Sequence, residues 1–216
     1  MTAINIAIRG DRALIVTDTL VSGGVEPLYT VKCSAFPHLR LAVAGAGEHT
    51  LTRACKFLLM DALPAGTDAE DIAHELPAAL RAQWARLRCT EPSMVFLVGI
   101  DRTEQAFAVA YTSAQDFAPQ TLAPGCYLVP KPRVASPEGS ATGPVQTAEP
   151  QTDEPQAPEP ETAIPWRRYV RTVLEPIERQ HRENPQSIGG KVQVTEVAPD
   201  CIHQWWLQDL AREAAA

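Results

Sequence analysis

Apolar residues alternate with small or polar ones from residue 3 to 8, where Ile4, Ile6 and Ile8 fall on one face. A period of two predicts a strand. Arg9-Gly10-Asp11-Arg12 reads as a hairpin turn. Residues 13–17 return as a strand that is apolar on both faces, the pattern of a strand covered from two sides, and Asp18 ends it. Val21-Ser22-Gly23-Gly24 is a loop. Residues 28–36 contain a strand carrying Lys32, and residues 39–44 form another that runs into Gly45-Ala46-Gly47. Four strands joined by short turns predict an antiparallel sheet rather than βαβ units.

The period then changes. Leu51, Ala54, Cys55, Leu58 and Leu59 make one apolar stripe at helical spacing, which predicts a helix over 48–63 that stops at Pro64 and Gly66. Thr67 with Glu70 has the spacing of a capping box for a second helix. Leu76, Leu80, Trp84 and Leu87 share its face, and Pro77 either interrupts it or starts a new segment. Residues 94–100 read as a buried strand, 101–104 as a turn, 106–111 as the return strand, and 125–130 as a further strand. After residue 165 helical spacing resumes through Tyr169, Val170, Val173, Leu174 and Ile177, with Pro176 as a possible kink. A turn at Ile188-Gly189-Gly190 leads into an alternating strand over 192–197, and Trp205 and Trp206 sit in a short final segment, read as packing on the sheet edge or a subunit neighbour. Strands, two helices, strands, a helix and strands fit an α+β sandwich of sheets between helical layers.

Composition alters this picture at one place. Residues 134–165 hold seven prolines and six acidic residues with no basic one, and are read as a disordered, acidic, Pro-rich insertion or spacer. The chain then divides into a core at 1–133, the insertion at 134–165, and the remainder of the same domain at 166–216. The 216 residues carry a net charge of −7 and are 45% hydrophobic. That argues against nucleic-acid and anionic-membrane partners. No apolar run reaches the ~18–20 residues that span a bilayer, and the first residues lack the charged and apolar regions of a signal peptide. Five scattered cysteines without a CxxC suggest reduced thiols in a cytoplasmic protein. The five histidines lack metal-ligand spacing, so neither a metal nor a cofactor is expected.

Candidate chemistry lies in the first forty-seven residues. Thr2 follows a methionine that is removable in principle, and a terminal threonine carries its own general base in its α-amine. Asp18 lies sixteen positions on, Ser22 four further, Lys32 on the next strand, and Gly45 and Gly47 end the strand after that. A nucleophile, a cation, a carboxylate to hold the cation and backbone N–H groups for an oxyanion are the parts an N-terminal nucleophile needs.

This set resembles the proteasome β-type family of N-terminal nucleophile (Ntn) hydrolases, closest to bacterial heat-shock peptidase-like members. The resemblance covers residues 1–130 well and 166–200 loosely. It implies a four-layer αββα Ntn-hydrolase sandwich and a threonine-type peptidase or amidohydrolase. Thr2, Asp18, Lys32 and Gly45 would be catalytic, and Ser22, Val43 and Gly47 would bind substrate, with Val43 lining a specificity pocket. A peptide or protein substrate, a homo-oligomeric ring and an unfoldase partner are also implied. The sequence departs from the family in Lys32, which comes two residues early, and in Cys126, which takes the place of a serine that assists the terminal amine. Two other readings are a catalytically silent subunit used in assembly or binding, and an adaptor whose acidic segment docks a partner.

Overall fold

In the computed structural model the described residues are 3–21, 28–61, 67–128, 166–183, 185 and 188–210. Among these residues the fold is α+β, with two five-stranded antiparallel sheets, a two-stranded ribbon and three α-helices. The predicted insertion at 134–165 and the positions of Thr2 and Ser22 lie outside the described residues.

The opening hairpin is β1 (Ile4–Arg9) and β2 (Arg12–Asp18), paired from Ile4↔Thr17 to Arg9↔Arg12. Gly10 takes φ +52, a left-handed turn conformation that glycine adopts without a Cβ penalty. The ribbon is β3 (Leu20–Val21) with β4 (Leu28–Tyr29). The strand expected over 28–36 is therefore in two pieces: the chain leaves the ribbon, crosses through Lys32, and enters the second sheet as β5 (Cys33–Phe36). Next come β6 (Leu41–Ala46), α1 (His49–Asp61), α2 (Ala69–Leu87), β7 (Met94–Ile100), β8 (Ala106–Thr112), β9 (Gln120–Leu122) and β10 (Gly125–Leu128). The final elements are α3 (Trp166–Glu183), β11 (Lys191–Val197) and β12 (Ile202–Asp209).

The first sheet has the order β10-β1-β2-β11-β12 and the second β5-β6-β7-β8-β9. Alternation along the strands sorts the core into three clusters. Ile4, Ile6, Ile15, Ala42, Ala44, Phe96 and Val98 fill the space between the sheets. Leu41, Val43, Leu51, Leu76, Leu80 and Leu97 pack the second sheet against α1 and α2. Leu14, Val16, Val173, Ile177 and Val194 pack the first sheet against α3. The two-sided apolar character of β2 has this cause: Ala13 and Ile15 face the other sheet, while Leu14 and Val16 face the helix.

Two helical expectations are corrected. The second helix caps at Asp68, whose side chain makes no capping bond and instead accepts from Arg102 Nε at 2.6 Å. The Thr67–Glu70 spacing is thus not used as a reciprocal box. Pro77 neither interrupts nor begins the helix: α2 runs through it, and the ring is buried. A proline cannot donate to the carbonyl four residues earlier, which here is that of Ala73. The buried Tyr111 hydroxyl donates to that carbonyl at 2.8 Å, so the lost bond is replaced from β8.

Candidate active site

Antiparallel register brings four separate stretches to one end of the two sheets. The β1/β2 pairing, extended one step past Ile4↔Thr17, sets Ala3 opposite Asp18. The Ala3 N–H donates to Asp18 Oδ1 at 2.9 Å, and the Asp18 N–H returns to the Ala3 carbonyl at 3.4 Å. The β5/β6 pairing begins at Cys33↔Ala44, so one step further sets Lys32 across from Gly45. Lys32 Nζ donates to the same Asp18 Oδ1 at 2.8 Å and to the Leu20 carbonyl at 2.6 Å. The two charged side chains are 5% and 0% exposed.

A fourth contribution escaped the sequence reading. The Gly189 N–H donates to Asp18 Oδ2 at 3.3 Å, and the Gly189 carbonyl accepts from the N–H groups of Thr19 and Leu20 at 3.3 and 3.0 Å. His181 Nδ1 lies 2.6 Å from the Ile188 carbonyl, which ties this loop back to α3. The glycine pair ahead of an alternating strand was the available signal. It marked a turn but gave no indication that the turn folds over Asp18.

Asp18 thus accepts from an ammonium and from two backbone N–H groups, so both its oxygens are engaged. Burial pushes its carboxyl above the usual range, against the opposing charge and hydrogen bonds of Lys32. Burial likewise pulls the Lys32 ammonium below its usual value, against the attraction of Asp18. Desolvation is the larger influence on both because water is excluded from the pair. An ammonium held in this way is a fixed positive centre beside Ala3, and its proton is less firmly retained than that of a surface lysine.

Gly45 and Gly47 serve different contacts. A Cβ on Gly45 would stand 2.7 Å from Thr52 Cγ2, so bare backbone here lets α1 approach the strand end. Gly47 takes φ +92, and a Cβ there would stand 2.8 Å from Ser93 Cα. A side chain there would run into Pro92 and Ser93, just ahead of β7. Val43 does not line an open pocket among the described residues. It has no exposed surface and lies in the cluster under α1, because its place on β6 points it at the helix layer.

Cys126 is also corrected. It pairs with Ala7 across β1 and β10, four residues from Ala3. At about 3.3 Å per residue it stands ~13 Å along the strand from Ala3, and it is exposed. No disulfide joins the five cysteines. Among the described residues no group of three or more histidine, cysteine or acidic side chains is placed to hold a metal. No helix among them is long and apolar enough to cross a membrane.

Compared with known proteins, the chain matches no family model and no curated protein.

Proposed function

We propose that the chain is an N-terminal threonine hydrolase that cleaves peptide or amide bonds, built on a four-layer αββα Ntn-hydrolase sandwich. The observation that carries this reading is the shared acceptor. Asp18 Oδ1 takes both the Ala3 N–H and the Lys32 ammonium, so the residue following Thr2 is fixed against a buried cation. Burying such a pair costs several kcal/mol per ion before attraction offsets it, and an apolar pair would fill the same space at less cost. The cation therefore suits chemistry at the adjoining residue better than it suits packing.

The reading requires Thr2 to carry a free α-amine, which removal of Met1 would supply. The amine would accept the hydroxyl proton of Thr2 as its oxygen attacks an amide carbonyl. Lys32 would favour the developing alkoxide electrostatically. A Gly45 N–H turned to the carbonyl oxygen would stabilise the oxyanion, a contact typically worth ~3 kcal/mol. The carbon–nitrogen bond would break as the Thr2 α-ammonium passes the proton it took to the leaving amine. Water would then hydrolyse the ester and regenerate the hydroxyl.

Intact mass of protein made in its native host, with and without an electrophilic β-lactone, tests the reading. Loss of Met1 and one added lactone that disappears in Thr2→Ala are expected. Retention of Met1, or no labelling at pH 8, would overturn the enzyme in favour of a silent subunit.

A further inference from the structure

A cavity of about 430 Å³ lies beside the Asp18–Lys32 pair. Three of its lining residues, Thr19, Val31 and Gly190, are the immediate chain neighbours of Asp18, Lys32 and Gly189. Adjacent Cα atoms are 3.8 Å apart, so the cavity borders the site on three of its strands and loops. Its apolar walls come from Tyr29, Val31 and Trp206, which are 55%, 42% and 49% exposed. Scattered apolar residues at such exposure are ordinary, but three facing one concavity of ligand size form a binding surface.

The backbone is shaped for it. Gly190 takes φ +74, and a Cβ there would stand 2.6 Å from Tyr29 Cδ1, so the Tyr29 ring rests on bare backbone. Trp206 is two residues from Gln204 and on the same strand face. Gln204 donates to the Cys33 carbonyl, next to Lys32, so that face of β12 looks toward the ion pair. Thr19 Oγ1 accepts the Lys191 N–H at 3.0 Å, which leaves its own proton to donate to a ligand carbonyl. Among the described residues the lining includes no acidic side chain. Lys191 is the cation among the described lining residues, and its backbone pairs with β12.

We propose that this cavity is the specificity pocket of the site, taking an uncharged aromatic side chain from a residue that flanks the scissile amide. This rests on the hydrolase reading. It moves the pocket from Val43, where the space is filled, to the open side of the ion pair. The volume suits one aromatic side chain with its adjoining peptide group, and the two aromatic residues in the lining, Tyr29 and Trp206, favour a ring over an aliphatic chain.

Two measurements on the full chain decide it. The first compares kcat/KM for peptides carrying Phe, Ala or Lys at each position flanking the cleaved bond. Phe should exceed Ala by about tenfold to a hundredfold at one of the two positions, and Lys should be the poorest of the three. That preference should fall to about threefold or less in Trp206→Ala and Tyr29→Ala, both half-exposed and separable from the core. Turnover whose preference ignores both substitutions would overturn the pocket and leave the hydrolase standing. The second titrates N-acetyl-phenylalanine amide into Thr2→Ala protein, followed by tryptophan fluorescence, with Trp206→Phe as the control. Should the wild type show no turnover, the hydrolase reading falls. The titration then decides the cavity alone, which a saturable, Trp206-dependent change supports and a flat trace overturns.

Discussion

The two sheets are covered in chemically different ways. Beneath α1 and α2 the second sheet meets an almost wholly apolar cluster that runs from Phe36 and Leu41 to Leu80 and Leu97. The Tyr111 hydroxyl, a polar tip buried inside it, has its partner in the Ala73 carbonyl. The first sheet encloses Asn5, Thr17, Asp18 and Gln193, all at 3% exposure or less, with Lys32 inserted from the crossing just before β5. Packing alone accounts for the first arrangement. It does not account for the second, because each buried polar or charged group must recover its desolvation cost in bonds. A fold that needed only a core could place apolar residues at all five positions. The polar end of the first sheet is therefore where burial carries the larger desolvation cost, and the tests that follow probe that difference.

The largest effect should come from splitting the ion pair. Asp18→Ala leaves the Lys32 ammonium buried without its carboxylate and should lower the unfolding free energy by about 3–5 kcal/mol. The double variant Asp18→Asn/Lys32→Met leaves no buried ion and keeps one oxygen to accept from the Ala3 N–H, so it should recover much of that loss. Urea denaturation of wild type, single and double variants reads both values. A double variant as unstable as the single would mean that the pair serves the fold, and the contrast between the two sheets would collapse.

The apolar side has its own sensitive point at Tyr111. Tyr111→Phe strips the partner from an Ala73 carbonyl that Pro77 has already freed, and should cost about 1–3 kcal/mol. In a Pro77→Ala background the new N–H can close the helix bond to Ala73, so the same substitution should cost less. Equal costs in the two backgrounds, read from thermal or urea unfolding, would show that the hydroxyl does not substitute for the missing helix bond.

These two cases also mark what could be read from the sequence. The hairpin from Arg9 to Arg12, the alternating strands and the stripe on α1 are local signals, and the structure carries them with small changes in boundaries. Pro77 looked like a break because the group that compensates for it is 34 residues away. Asp68 takes the N-cap position without a capping bond because its carboxylate is used by Arg102, from the turn between β7 and β8. At the site, Asp18 and Lys32 were legible as residue types at a suggestive spacing, but their meeting depends on registers in two different sheets. Gly189 reaches Asp18 from 171 residues away, a relation without a local pattern. Cys126 was misplaced for the same reason: register along β1 carries it to Ala7 rather than to the chain start.

A smaller effect separates the clusters by pH. Burial pushes the Cys33 and Cys55 thiols up to about 12 from 9.0. Between those values the folded state keeps protons that the unfolded chain releases, so stability falls as pH rises, by up to about 1.4 kcal/mol per pH unit for each thiol. Cys55→Ala should remove its share of that slope, measured as the urea midpoint from pH 8 to 10.5. An unchanged slope would mean that Cys55 ionises as freely in the folded chain as in the unfolded one.

The smallest effect is the most direct test of whether the polar end is tuned for stability. Thr17 has no exposed surface, and its Oγ1 finds no hydrogen-bond partner among the described residues. Its strand partner Gln193 likewise leaves Oε1 without one. Valine has nearly the same shape and carries no unsatisfied oxygen, so Thr17→Val should be neutral or stabilise by up to about 1 kcal/mol. A loss of 1 kcal/mol or more, read from urea unfolding, would reveal a bond to Oγ1 through a buried water. The threonine would then belong to a satisfied network, and the polar side of the first sheet would be better compensated than its geometry indicates.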